Sequence, residues 1–168
     1  MVAPPAFEDL VRQAERVARA LAARRETVAV AESSAGGLIS AALLAVPGAS
    51  AYFLGGGIVY TAASRMVLLD MPREAIRRSS EGAVLDLAHA VRTRLNAVWG
   101  LAESGAAGPS APAGVTFVAV SGPVQSAARW ETGLTVRAAN MALFAEAALA
   151  ALGAALGADP GARASPDR

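Results

Sequence analysis

The sequence predicts an α/β fold: a three-layer α/β/α domain with a mainly parallel or mixed central sheet. Amphipathic helical segments alternate with short, β-branched, strand-like segments, and this alternation is typical of layered α/β domains. Hydrophobic residues make up 54% of the 168 residues and charged residues only 17%, which excludes an intrinsically disordered chain. This length suffices for one domain with one core.

In chain order, the first half is predicted to contain a helix over 7–23, a strand over 27–31, a helix over 38–44, a strand near 58–60 and a helix over 62–69. Apolar residues at three- and four-residue spacing predict the first helix, and alternating β-branched residues such as Val28 and Val30 predict the first strand. Pro47 and Gly48 end the second helix with turn chemistry. The run Gly55–Gly57 predicts a bulge or a close backbone approach before the second strand.

The second half is predicted to contain a helix over 81–96, a strand over 97–102, a strand over 115–120, an exposed strand or hairpin arm over 125–132 and a helix over 135–156. Ser80 is a candidate N-cap for the first of these helices. Phe144 and Leu152 lie on the predicted buried stripe of the last helix. We therefore expect a single domain over 1–156, followed by a tail over 157–168 with the composition of a disordered segment.

Residue types that are missing from the sequence exclude several chemistries. The chain has no cysteine, and all 15 of its basic residues are arginine, so disulfides, thiolate metal sites, Schiff bases and lysine bases are excluded. The single histidine, His89, has no ligand-type residue at metal-binding spacing and is interpreted as structural. We therefore expect no metal and no cofactor.

The charge and the apolar runs also limit the partners. A formal net charge of +1 gives no reason to expect a nucleic-acid partner. Every long apolar run is broken well short of about 20 residues, and the N-terminus lacks the pattern of a signal peptide, so we expect no membrane span and a cytoplasmic location. The Ala-rich helices would allow close packing, so a homo-oligomer is expected.

Three polar or glycine-rich loops follow predicted strands, after Ala31, Tyr60 and Ala102. Ligands of such sheets bind beyond the carboxyl ends of the strands, so these loops are the candidate binding region. The segments 32–37 and 104–109 contain small residues that let a ligand approach the backbone. Each candidate residue also has an ordinary structural interpretation: a helix N-cap or turn for the serines, a half-buried strand residue for Tyr60, and a solvated charge for Arg65 and Arg137.

Taken in order, five segments resemble the CinA C-terminal domain family. They are AESSAGG at 31–37, PGASAYF at 47–53, GIVY at 57–60, SGAAGP at 104–109 and Val136-Arg137. The corresponding family patterns are A-E-S-C-T-G-G, P-G-S-S-x-x-F, Y-S-N-x-x-K and T-G-I-A-G-P. The resemblance covers roughly Phe7 to Leu156. It implies hydrolysis of the carboxamide of a small nucleotide, nicotinamide mononucleotide, to nicotinic acid mononucleotide and ammonia, by a serine paired with a lysine.

The resemblance also implies roles for residues of this chain. Ser50 stands at the family's nucleophile position and Arg65 at its lysine, with Ser33 and Tyr60 at supporting polar positions. The substrate-binding positions implied by the resemblance are Glu32, Gly36, Gly37, Ser104, Gly105, Gly108 and Arg137.

The departures from the family patterns leave two functions open, besides a purely structural or interaction role. Arginine stays protonated near neutral pH and cannot take a proton from serine there, so Arg65 cannot replace the lysine as a base. Ala62 and Ala35 replace polar family residues, and Glu103 stands where the family has an apolar residue. The chain is therefore either an amidohydrolase with another base, for which Glu103 and Glu32 are the candidates, or a non-catalytic relative that binds a nucleotide or a protein partner.

Overall fold

The computed structural model describes residues 3–110 and 112–157, and within them a five-stranded mixed sheet lies between two layers of helices. The helices are α1 (Phe7–Arg24), α2 (Leu38–Ala45), α3 (Ala62–Leu69), α4 (Glu81–Arg94) and α5 (Arg137–Ala155). The strands are β1 (Val28–Glu32), β2 (Phe53–Ile58), β3 (Trp99–Ala106), β4 (Val115–Ser121) and β5 (Ser126–Glu131). The predicted α/β fold class is confirmed.

The strand order is β2-β1-β3-β4-β5. Strand β1 is parallel to both of its neighbours, β2 and β3, whereas β4 is antiparallel to β3 and β5. The carboxyl ends of β1, β2 and β3 therefore meet at one edge of the sheet, together with the start of β4 and the end of β5. We call this side the carboxyl edge.

Each face of the sheet carries its own apolar core because successive strand residues point to opposite faces. Val28 and Val30 of β1 join a core that includes residues of α1, α2 and α5. Ala29 and Ala31 join a second core that includes residues of α4 and the end of α3. Helix α5 is long and apolar enough to cross a membrane by length and composition, but here its stripe of buried residues, including Phe144, forms part of the first core.

Strand β2 differs from its predicted position near 58–60. It covers the glycine run and ends at Ile58. A Cβ on Gly56 would lie 2.8 Å from the carbonyl oxygen of Val30, so glycine is what allows β2 to approach β1. The bulge predicted at the glycine run appears as a shift in the pairing of β1 with β2, between Val28 and Ala29.

Strand β3 is longer than the predicted 97–102 and ends at Ala106. Glu103 and Ser104, predicted to lie in a loop, instead pair with Val118 and Phe117 of β4. The antiparallel partner supplies these hydrogen bonds, and no local pattern in β3 indicates it. The predicted N-cap of α4 is correct, since the Ser80 hydroxyl accepts the backbone N–H of Ala83 at 3.1 Å.

Helix α5 begins two residues later than predicted and ends one residue earlier. Of the predicted tail, residues 158–168 lie outside the described residues, so its disorder stays a prediction.

Candidate functional site

A cleft of about 270 Å³ opens at the carboxyl edge. It is lined by Ser34, Tyr60, Gly105, Ala106, Ala107, Gly108, Ser110 and Arg137. These residues come from the turn after β1, the turn after β2, the end of β3 with the loop that follows it, and the first residue of α5. The location agrees with the general rule for sheets of this kind, in which ligands bind beyond the carboxyl ends of the strands.

Arg137 and Tyr60 form the outer wall of the cleft. Arg137 Nη1 donates to the carbonyl oxygen of Gly108 at 2.7 Å, and Nη2 donates to the Tyr60 hydroxyl at 3.2 Å. The guanidinium carbon lies 6.0 Å from the centre of the Tyr60 ring, within the range of a cation–π contact. Gly108 has φ of +107°, and a Cβ there would lie 2.8 Å from the Thr135 carbonyl oxygen, so glycine is required at this position.

Glu32 ends β1 and caps the N-terminus of α2. Its carboxylate accepts the backbone N–H groups of Gly37 at 2.9 Å, Ile39 at 3.0 Å and Ser40 at 2.8 Å, and the Ser40 hydroxyl at 2.5 Å. Burial raises the pKa of Glu32, and these hydrogen bonds lower it by less. All four donors belong to the start of one helix, so this carboxylate stabilises the turn that leads into α2.

Glu103 is fully buried in β3, and the turn after β1 wraps around its carboxylate. The backbone N–H groups of Ser33 and Ala35 donate to Oε2 at 3.2 and 2.8 Å. The Ser34 hydroxyl donates to Oε1 in a short hydrogen bond, and the Thr116 hydroxyl of β4 donates to the same oxygen at 2.7 Å. Glu103 thereby ties the turn after β1 to the centre of the sheet.

Arg65 lies on α3 and is 9% exposed, and its side chain is hydrogen-bonded to the segment after β2 and to β3. Its Nε donates to the carbonyl oxygen of Val59 at 3.1 Å, and Nη2 donates to the Ser104 hydroxyl at 3.1 Å. The Ser104 hydroxyl lies 2.8 Å from the hydroxyl of Ser79. Burial lowers the pKa of Arg65, and the nearby Glu103 carboxylate partly opposes this effect. An arginine guanidinium nevertheless keeps its proton in a protein, so Arg65 is a positive charge and no proton acceptor.

The structure brings most of the predicted site residues to the carboxyl edge and leaves one of them elsewhere. Those at this edge are Glu32, Ser33, Gly36, Gly37, Tyr60, Arg65, Ser104, Gly105, Gly108 and Arg137. Ser50 lies in a short 3₁₀ turn before β2, beside the start of β1. Because β2 spans six residues at about 3.3 Å each, Ser50 is roughly 20 Å from Tyr60. The expectation that Ser50 shares the cleft with Tyr60 and Arg65 is wrong within one chain.

Two groups of this region were not predicted as site residues. Ser34 lines the cleft, and Thr116 orients Glu103, which the sequence offered as a candidate base and as a departure from the family pattern. A carboxylate directly after a predicted apolar strand is a signal for a buried polar network. The partners of Glu103 could not be read from the sequence, because three of them lie 68–70 residues before it.

The match to a family model agrees with this geometry. Residues 11–156 match the model described as the CinA C-terminal domain. This match covers most of the chain, and the chain therefore belongs to the CinA C-terminal domain family.

Two related proteins are similar to this chain in sequence. The chain is 45% identical over 106 residues to a CinA-like protein of Parasynechococcus marenigrum, covering 58% of this chain and 25% of the relative. It is 32% identical over 149 residues to a CinA-like protein of Desulforapulum autotrophicum, covering 82% of this chain and 35% of the relative. The chain thus spans about a quarter to a third of the length of these relatives.

Among solved structures, a CinA superfamily protein from Klebsiella pneumoniae has a TM-score of 0.81 and 29% identity, over 88% of this chain and 98% of that chain. A competence/damage inducible protein from Agrobacterium tumefaciens has a TM-score of 0.77 and 27% identity, over 94% and 99% of the two chains. The mixed sheet with helices on both faces is therefore shared with proteins of this superfamily.

Proposed function

We propose that the chain hydrolyses the carboxamide of a pyridine mononucleotide, such as nicotinamide mononucleotide, to the acid and ammonia. One observation carries the proposal: the cleft collects the Arg137 guanidinium, the Tyr60 ring and a Ser34 hydroxyl that is bonded to a buried carboxylate. An anion-binding group, a stacking surface and a polarised hydroxyl are the groups that this reaction requires.

The phosphate end of the substrate fits against Arg137. This residue is the first of α5, where the helix has free N–H groups and carries a partial positive charge. The first turn of α5 contains no acidic residue that would offset this charge. Arginine binds phosphate through paired hydrogen bonds, and its bonds to Gly108 and Tyr60 hold the guanidinium in place.

The ring end of the substrate fits against Tyr60 and the small residues of the loop after β3. Tyr60 is 57% exposed, so its ring is open to stacking. The backbone from Gly105 to Gly108 carries only small side chains and lets a planar ring approach closely. The cleft volume of about 270 Å³ is near the lower end of the range for ligand pockets, about 300–1,000 Å³, which favours a small nucleotide.

A second function, nucleotide binding without turnover, is favoured by Arg65. This residue stands where the resembling family has a lysine, and its guanidinium donates to Val59 and Ser104. A permanently charged donor cannot serve as a general base. If no other group takes the serine proton, the cleft binds the nucleotide and leaves the amide intact.

One set of measurements separates the two functions. Purified chain is incubated with nicotinamide mononucleotide and assayed for ammonia, and both this amide and its acid are titrated by calorimetry. Ammonia release above the buffer rate supports hydrolysis, and heat of binding without ammonia supports the binding function. No heat with either ligand, together with no ammonia, contradicts both functions.

An Arg137→Met variant tests the assignment of the phosphate end. We expect it to weaken nucleotide binding about tenfold or more, because it removes charged hydrogen bonds of about 1.5–3 kcal/mol. Arg19→Met is the matched control, since Arg19 is exposed on α1. If the two variants bind the nucleotide with equal affinity, Arg137 does not bind the phosphate.

A further inference from the structure

Ser34 and Glu103 form a hydroxyl–carboxylate pair in the wall of the cleft. Ser34 lines the cleft but is only 3% exposed, and Glu103 behind it is fully buried. The Ser34 hydroxyl donates a hydrogen bond to Glu103 Oε1. A hydrogen bond from a hydroxyl to an ionised carboxylate is stronger than a neutral one, and low local polarity strengthens it further.

Other donors hold the carboxylate in one orientation. The backbone N–H groups of Ser33 and Ala35 bind Oε2, and the Thr116 hydroxyl binds Oε1 beside Ser34. An activated nucleophile needs a base within hydrogen-bond reach and a further group that orients the base. Ser34, Glu103 and Thr116 have this order: Ser34 lines the cleft, and the fully buried Thr116 donates to the carboxylate.

Ser34 differs from its neighbour Ser33 in what it gives to this network. Ser33 contributes its backbone N–H to the carboxylate, whereas Ser34 contributes its hydroxyl proton. Only the hydrogen bond from the Ser34 hydroxyl places a side-chain proton where the Glu103 carboxylate can accept it. The geometry therefore favours Ser34 over Ser33 and over the distant Ser50.

We propose that Ser34 is the nucleophile and Glu103 its general base, in place of a serine–lysine pair. This inference rests on the hydrolysis proposed above. Ser34 Oγ attacks the carbonyl carbon of the carboxamide, and its proton moves to Glu103. The C–N bond then breaks, the nitrogen takes the proton from Glu103, and ammonia leaves. Water attacks the resulting ester, gives its proton to Glu103, and the proton returns to Ser34 Oγ as the acid departs.

Arg65 has an electrostatic role in this scheme. Its guanidinium is close enough to Glu103 for the two charges to stabilise each other, and it donates to the Ser104 hydroxyl next to Glu103 in β3. A fixed positive charge of this kind attracts the negative charge of the carboxylate. The arginine that cannot act as a base thus supports the group that does.

The test compares ammonia release by the wild-type chain and by Ser34→Ala, Ser33→Ala and Glu103→Gln. Ser126→Ala, an exposed change on β5, is the control and is expected to keep wild-type turnover. We expect Ser34→Ala to lose at least about a thousandfold in kcat and Glu103→Gln about a hundredfold.

A second measurement does not depend on the folding of a variant. Wild-type chain mixed with nicotinamide mononucleotide is quenched in acid within the first turnover, digested and analysed by mass spectrometry. We expect the acyl group on the peptide at Ser34. An acyl group on Ser33 or Ser50, or full turnover by Ser34→Ala, overturns this inference and leaves the proposed hydrolysis standing. A wild-type chain that releases no ammonia overturns the proposed hydrolysis and this inference with it.

Discussion

Glu32 and Glu103 are buried carboxylates that each accept four hydrogen bonds, but they collect their donors in different ways. The donors of Glu32 lie five to eight residues after it, all at the start of α2. Three donors of Glu103 lie 68–70 residues before it and the fourth lies in β4. Glu32 is thus a local cap that forms with its helix, whereas Glu103 depends on the assembled sheet.

The two carboxylates also differ in their charged surroundings. Arg65 lies near enough to Glu103 to interact with its charge. The donors of Glu32 are three backbone N–H groups and a hydroxyl, and burial outweighs them in setting its pKa. Replacing each carboxylate should therefore have different consequences for the rest of the chain.

The largest effect is expected for Glu103→Ala. It leaves the buried N–H groups of Ser33 and Ala35 without an acceptor, and each buried donor left unsatisfied costs about 1–3 kcal/mol. Urea unfolding measures this loss, with Glu15→Ala on the exposed side of α1 as a control expected to change stability by less than about 0.5 kcal/mol. A loss no greater than that of Glu32→Ala would contradict the view that Glu103 ties distant parts of the sheet together.

Glu32→Ala should cost less, about 2 kcal/mol, because the N–H groups it frees belong to a helix N-terminus that water can reach in part. Gly37 and Ser40 are partly exposed, which supports this difference. The same urea measurement applies, and helix content from circular dichroism should stay close to that of the wild type. Loss of the whole fold in Glu32→Ala would show that this cap is more than local.

The pH dependence of stability distinguishes the two carboxylates further. Because the folded chain raises the pKa of Glu32 above its ordinary value of 4.5, folding is favoured when Glu32 is protonated. This stabilisation is fully present below the ordinary pKa and is lost as pH rises through the folded-state pKa. The contribution of Glu32 to the free energy of unfolding should therefore decrease with pH between these two values.

The measurement is the free energy of unfolding of wild type minus that of Glu32→Gln, from about pH 4 to 8, so that other acidic groups cancel. We expect the difference to fall as pH rises above the ordinary Glu32 pKa and then to level off. A difference that rises with pH would mean that the four hydrogen bonds outweigh burial.

The smallest effects on stability should come from removing a single hydroxyl donor from each of the two carboxylates. Thr116→Val removes one donor from Glu103, and Ser40→Ala removes one from Glu32, each worth about 1 kcal/mol. We expect the change at Thr116 to be larger, because it is buried and no water can replace it, whereas Ser40 still donates its backbone N–H. Equal losses measured in urea would indicate that the two carboxylates are equally accessible to water.

Local patterns predicted most of the elements correctly. The helix over 62–69 and the Ser80 cap lie where the sequence places them, because spacing and capping act within a few residues. The extension of β3 through Glu103 and the position of β2 were not predicted. Both depend on a partner strand, and pairing overrides local preference in glycine-containing segments.

The sequence predicted part of the candidate site correctly and misplaced one residue. The loops after Ala31 and Tyr60 and the start of α5 do meet at one edge, as parallel strands require. Ser50 does not, although its motif belongs to the same family pattern. A sequence motif indicates which residue stands at a family position. The direction of the neighbouring strand decides at which end of the sheet that residue lies.

By itself, the sequence determined the α/β class, the alternation of helices and strands, and the absence of a lysine that could act as a base, because these follow from residue types and short-range spacing. The tertiary structure alone decided that Ser34 faces the cleft, that its hydroxyl meets Glu103, and that Arg65 lies near that carboxylate. Such contacts join residues far apart in the chain, and their energies depend on burial that exists only once the sheet has formed.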